Sequence, residues 1–130
     1  MRLTAAALCL SALPAAAQDP AEGAALFAFH CAMCHGAEAK GNGPEAPSLN
    51  PQPKDLTLLA AENGGTFPTL MVVKRIDGRE AIVAHGSPMP VFGEYFEGPA
   101  VERQAETGEA MTMTKPVADL VAWLMSVQAK

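Results

Sequence analysis

Apolar and polar positions follow different rules in successive parts of the chain. Residues 3–13 form an uncharged, mostly apolar run behind Arg2, and Ala15-Ala16-Ala17 follows as a small-residue cleavage site before Gln18. That order is the pattern of a secretory signal, which places residues 1–17 in a removable segment and residues 18–130 in the mature domain. At Asp19-Pro20-Ala21-Glu22 a helix start is predicted. Asp19 is placed to cap, Pro20 takes the first position, where its missing N–H costs nothing, and Glu22 stands where a capping box wants an acid. This helix is expected to run into residues 31–35. At the other end, Thr114 is placed to cap a second helix with Pro116 in its first turn, and Pro116, Leu120, Trp123, Leu124 and Val127 fall on one face.

Between these helices the pattern is weaker. Residues 36–53 carry Gly41, Gly43, Pro44, Pro47, Pro51 and Pro53, too many breakers for a regular helix or a central strand. Residues 55–63 read as a short helix stopped by Gly64-Gly65, with Leu56, Leu58 and Leu59 available to the core. Across residues 66–76, Phe67, Leu70, Met71 and Val73 suit a helix, favoured by Pro68 near its start and Asp77-Gly78 after its end, although residues 70–73 alone also fit a buried strand. Lys74-Arg75 then complements the end of the helix dipole. Residues 92–113 hold Glu94, Glu97, Glu102, Glu106 and Glu109 against Arg103 and read as a solvated surface or as a docking face for a basic partner. The predicted class is all-α, with three to five helices and long irregular loops.

Composition removes several functions. The 130 residues carry a formal charge of −5, and loss of residues 1–17 with Arg2 leaves 113 residues at −6, an unlikely balance for a nucleic-acid partner. The apolar run is shorter than the roughly 20 residues a membrane span needs, and no later segment is both long and uncharged. Cys9 lies in the signal, and Leu8 before it is not the small residue that lipid attachment would want. Cys31 and Cys34 are then the two cysteines of an exported chain, and a periplasmic location follows.

Those cysteines stand in Cys31-Ala32-Met33-Cys34-His35, the Cys-x-x-Cys-His spacing that reads as covalent haem attachment. Positions i, i+3 and i+4 share a helix face, so both sulfurs and the imidazole can meet one flat group. A thioredoxin-like pair would want a βαβ context, which the periodicity lacks. Zinc would need four ligands from Cys31, Cys34 and two of His30, His35 and His85, and neighbouring Cys and His side chains reach a tetrahedral ion poorly. A plain disulfide is the remaining alternative. No phosphate loop and no Ser/His/Asp grouping is present, so no catalytic constellation emerges.

With these residues in view, the chain resembles the class I cytochrome c family in its small, single-haem bacterial form. Gly23, Phe27 and Trp123 match the close crossing of that family's first and last helices. The resemblance implies one covalent haem c held by Cys31 and Cys34, with His35 on the iron. It also implies that the Pro44 carbonyl orients the His35 ring, that Leu49 packs on the same haem face, and that Met89 of Met89-Pro90 is the distal ligand. His85 competes for that last place, with Met111 and Met113 weaker still, while Met71 and Met125 read as core. Both axial sites are then filled by protein, which implies a one-electron carrier between larger redox proteins, monomeric or a subunit of a dehydrogenase or oxidase, rather than an enzyme. A displaceable sixth ligand would instead make a haem enzyme or gas sensor.

Overall fold

The computed structural model describes residues 18–78 and 89–130, so the signal segment, Cys9 and His85 lie outside the described residues. Helix α1 (Pro20–His30) begins as expected, with the Asp19 carboxylate accepting from the N–H groups of Ala21 at 2.9 Å and Glu22 at 3.4 Å. The other half of the capping box is different. The Asp19 N–H donates at 2.8 Å to Asp119, a buried residue 100 positions later, and not to Glu22. At Cys31 the backbone departs from ideal helical angles, and α2 (Ala32–His35) continues for one turn until Gly36 takes a φ of 80°.

The breaker-rich stretch after α2 is fastened back onto it. Gly41 N–H donates to the His35 carbonyl, Gly43 to Cys34 and Glu45 to Met33, and Ala46–Ser48 adds a single 3₁₀ turn. A short helix then forms where predicted, as a 3₁₀ turn at Leu56–Leu58 capped by Asp55 and leading into α3 (Leu59–Glu62). Leu59 is buried and Leu56 packs against the core, but Leu58 faces solvent, because the 3₁₀ turn rotates it off the inner face.

The ambiguous apolar run is helical: α4 (Thr69–Asp77) buries Val72, Val73 and Ile76 and ends at Gly78, whose φ of 62° is left-handed. Its N-terminus receives the Glu106 carboxylate, which accepts from Leu70 N–H at 3.3 Å, so Glu106 is more than a solvated acid. Beyond Met89 the chain returns to the far end of α4, where Phe92 N–H donates to the Ile76 carbonyl and Gly93 N–H to Asp77.

One expectation needs amendment. The acidic stretch contains an antiparallel hairpin, β1 (Ala100–Gln104) against β2 (Ala110–Thr114), so the protein is mostly helical with a small sheet. Val101 pairs with Met113 and Arg103 with Met111, which puts these four on one face and buries Val101, Met111 and Met113. The two methionines are core residues.

Helix α5 (Lys115–Ser126) follows directly and lies across α1. Thr114 occupies the cap position, yet its buried hydroxyl has no partner, because Pro116 removes one of the N–H groups such a cap would bind. Val117, Leu120, Val121 and Leu124 fill the core beneath. At the crossing, a Cβ on Gly23 would stand 2.0 Å from the Asp119 carbonyl oxygen, and the Phe27 and Trp123 rings meet at 4.3 Å. Past the helix, Gln128 closes the end, accepting from Ala60 N–H and donating to the Leu56 and Leu124 carbonyls.

Asp119 is 3% exposed and holds two donors, the Asp19 N–H and Lys115 Nζ at 2.6 Å. Asp119→Ala should destabilise the fold by about 1.5–3 kcal/mol, the range for hydrogen bonds to a charged group. Asp119→Asn, which keeps an acceptor for Asp19, should lose less. Urea denaturation of both variants checks the order.

Candidate haem site

The α1–α2 junction, the looped segment, α3, α4 and the returning strand of chain at Met89 surround one cavity of about 580 Å³. Such a volume lies within the roughly 300–1,000 Å³ of prosthetic-group and ligand pockets. Cys31, Cys34 and His35 all line it, Cys31 from the break between α1 and α2 and the other two from α2. Leu49, Pro51 and Pro53 line it as well, as do Leu59, Val72, Ile76 and Leu124. Met89, Pro90 and Phe92 close the side supplied by the returning chain. His35 and Met89, 54 positions apart in the sequence, therefore line the same space.

The donor chemistry is specific. The His35 ring is largely sequestered, and its Nδ1 is buried with no hydrogen-bond partner. Burial holds the His35 pKa below its ordinary value, with the Lys54 main chain working in the opposite direction, which favours the neutral imidazole that a metal requires. Cys31 and Cys34 are both free thiols. Burial, assisted by the neighbouring Cys34, pushes the Cys31 pKa up to about 11, the reverse of the lowered pKa that marks a thioredoxin-like nucleophile. Among the described residues no three of His, Cys, Asp and Glu gather as a metal cluster, so a four-ligand zinc site is not assembled there. His30 lines the cavity but packs edge-on against Phe96 at 5.1 Å and Phe29 at 4.8 Å.

Two expectations change. Pro44 is exposed and absent from the cavity wall, and its carbonyl does not meet His35 Nδ1. The flanking bonds from Gly43 to Cys34 and from Glu45 to Met33 hold that turn along the backbone of α2, and the prolines that reach the cavity are Pro51 and Pro53. Met71 and Met125 are not core: each is about half exposed, and Met71 lines the cavity. The apolar residues of α4 face both the protein interior and this cavity, a distinction that helical periodicity does not make. Leu49 lines the wall, while Met33, between the two thiols, faces solvent.

Arg75, Lys54 and Gln52 also border the space, and sequence reasoning did not single out any of them for it. All three are exposed residues. Two thiols, an imidazole and a thioether lining one largely apolar cavity suit a large flat group with a metal at its centre. Haem fits that description, and His35, a neutral imidazole with a buried nitrogen that no protein group satisfies, is the lining residue suited to its iron. The cytochrome c family profile matches residues 20–128, which takes in every described element from α1 to α5. No curated protein and no solved structure matches the chain.

Proposed function

Since the chain belongs to the cytochrome c family, whose members bind covalently attached haem c, we propose that it is a periplasmic one-electron carrier in which His35 and Met89 would ligate the iron. Cys31 and Cys34 would hold the group through thioethers. The observation that carries this reading is the convergence of Cys31, Cys34, His35 and Met89 on one apolar cavity. When bound, haem supplies an iron centre that gains or loses one electron. The chain's own work is to keep that centre dry and rigid. Leu49, Leu59, Val72 and Ile76 exclude water, and the bonds from residues 41, 43 and 45 to α2 hold the proximal wall. A thioether paired with an imidazole on the iron would raise the reduction potential relative to two imidazoles.

The described residues contain no helix long and apolar enough to cross a membrane. Export to the periplasm rests on the pattern of residues 1–17, and the redox partners are larger proteins that the carrier meets in turn. The same site serves equally as the haem subunit of a dehydrogenase or oxidase.

Covalent attachment is tested by mass. The exported protein, denatured in acid and organic solvent, should retain one haem on the polypeptide. Loss of haem under those conditions, or stoichiometric zinc in its place, overturns the assignment of Cys31 and Cys34.

The distal ligand has its own signature. The oxidised protein should show the weak near-infrared sulfur-to-iron band, and its reduced form should bind carbon monoxide poorly. Met89→Ala should abolish the band and open the iron to carbon monoxide. Survival of the band in that variant would move the role to Met71, whereas its absence from the unaltered protein would favour His85 or an open position, as in a sensor or haem enzyme.

A further inference from the structure

Two aromatic side chains stand in solvent without any role in enclosing the cavity. Phe29, in the last turn of α1, is 84% exposed, and Tyr95, in the turn after Met89, is 76% exposed. They are the outer ends of one connected aromatic layer. Phe29 meets His30 edge-on at 4.8 Å, His30 meets Phe92 at 6.1 Å, and Phe92 meets Tyr95 at 6.3 Å. Beneath them Phe92 stacks on the buried Phe96 at 5.4 Å. His30 and Phe92 are also part of the cavity wall. The layer therefore runs from the cavity to solvent through two side chains.

Neither exposed ring is needed to fill the core, and large aromatics left in water are the residues protein interfaces use as anchors. The surrounding charge selects the partner. Glu94 and Glu97 flank Tyr95, both are exposed, and neither is paired with a cation among the described residues. A second copy docking by two-fold symmetry would bring these carboxylates toward their own images, and like charges across an interface disfavour it. A surface with an apolar centre and a rim of lysine or arginine meets both features at once.

We infer that the Phe29–Tyr95 face, with its Glu94 and Glu97 rim, is the docking surface for a basic redox protein. The inference rests on the electron-carrier reading and deepens it by naming the partner's chemistry. Docking there places the partner one aromatic layer from the cavity wall. One electron then passes from the reduced carrier to the oxidised partner, with no bond or proton exchanged.

The test uses the holoprotein, with covalent haem confirmed first by mass. Rapid mixing follows oxidation of the reduced protein by a basic blue-copper protein, whose colour is separable from haem, and by a small cobalt complex that needs no docking face. Phe29→Ser/Tyr95→Ser should slow the reaction with the copper protein about tenfold at low ionic strength, within the span of association rates seen among variants of one interface. Glu94→Gln/Glu97→Gln should slow it less and flatten its dependence on salt. Both variants should react with the cobalt complex at the unaltered rate. Copper-protein rates within twofold of the unaltered chain at every salt concentration would overturn the assignment. So would a dimer in sedimentation that the aromatic substitutions dissolve, since the face would then belong to a second copy. A chain without haem, or one the cobalt complex fails to oxidise, would instead remove the carrier reading itself.

Discussion

Replacing Phe27 with alanine should lower stability by about 3–5 kcal/mol, the range for truncating a buried aromatic. Phe27 is 2% exposed, so the whole ring is lost from a filled space. It packs on Trp123 at 4.3 Å between ring centres and reaches toward His35 at 6.4 Å. Trp123 is itself half-buried, which makes Phe27 the more consequential member of the pair. Chemical denaturation of the holoprotein, monitored in the far ultraviolet, measures the loss. A change below about 1 kcal/mol would mean that the crossing of α1 and α5 does not depend on this ring. The Soret absorption should report a second effect, because removing the ring opens space beside the proximal histidine.

Gly23→Ala should be a costly substitution for its size. A methyl group at Gly23 would fall 2.0 Å from the Asp119 carbonyl oxygen, 2.6 Å from its carbon and 2.9 Å from the Trp123 Cβ. Two of those atoms are backbone, so no side-chain rotation relieves the contact. The helices must separate, loosening the Phe27–Trp123 contact and the bond from Asp19 to Asp119. Alanine favours the helix by about 1 kcal/mol over glycine, an opposing gain. Overpacking costs about 1–3 kcal/mol and more where backbone must move, so a net loss of about 2 kcal/mol or above is expected. Thermal unfolding beside an exposed control such as Ala25→Gly separates the clash from helix propensity. A Gly23→Ala protein as stable as the parent would place the helices farther apart than this crossing requires.

The outer helices were legible because their signals are local. Asp19 and Pro20 mark one start, Pro116 marks the other, and the apolar face of α5 follows a regular period. The second half of the α1 cap was not legible. Asp119 is distant in sequence, and nothing near Asp19 distinguishes it from Glu22 as the acceptor. The hairpin had a signal that acidic density obscured: Val101 and Arg103, then Met111 and Met113, alternate with exposed neighbours around Gly108, whose φ of 83° completes the turn. In the site, Cys31, Cys34 and His35 could be read from spacing alone, because one short segment carries all three. The rest of the lining depends on where the chain returns, and Met89 was approached only through its proline neighbour. Met71 and Pro44 show the limit of that approach, since periodicity does not separate core from cavity and a proline count does not say which proline faces the ring.

The bond between Asp19 and Asp119 also orders events in time. The two residues stand 100 positions apart, so the clasp across α1 cannot close until α5 has docked. Helix α1 can form beforehand from its own cap, but its inner face has no partner until α5 arrives. Closing so long a loop is slower than forming local turns. Until then the Cys-x-x-Cys-His segment, which follows α1 directly, lacks the support of that crossing. A circularly permuted chain joining residues 18 and 130 would test this order, because it would make α1 and α5 neighbours in sequence and should speed refolding.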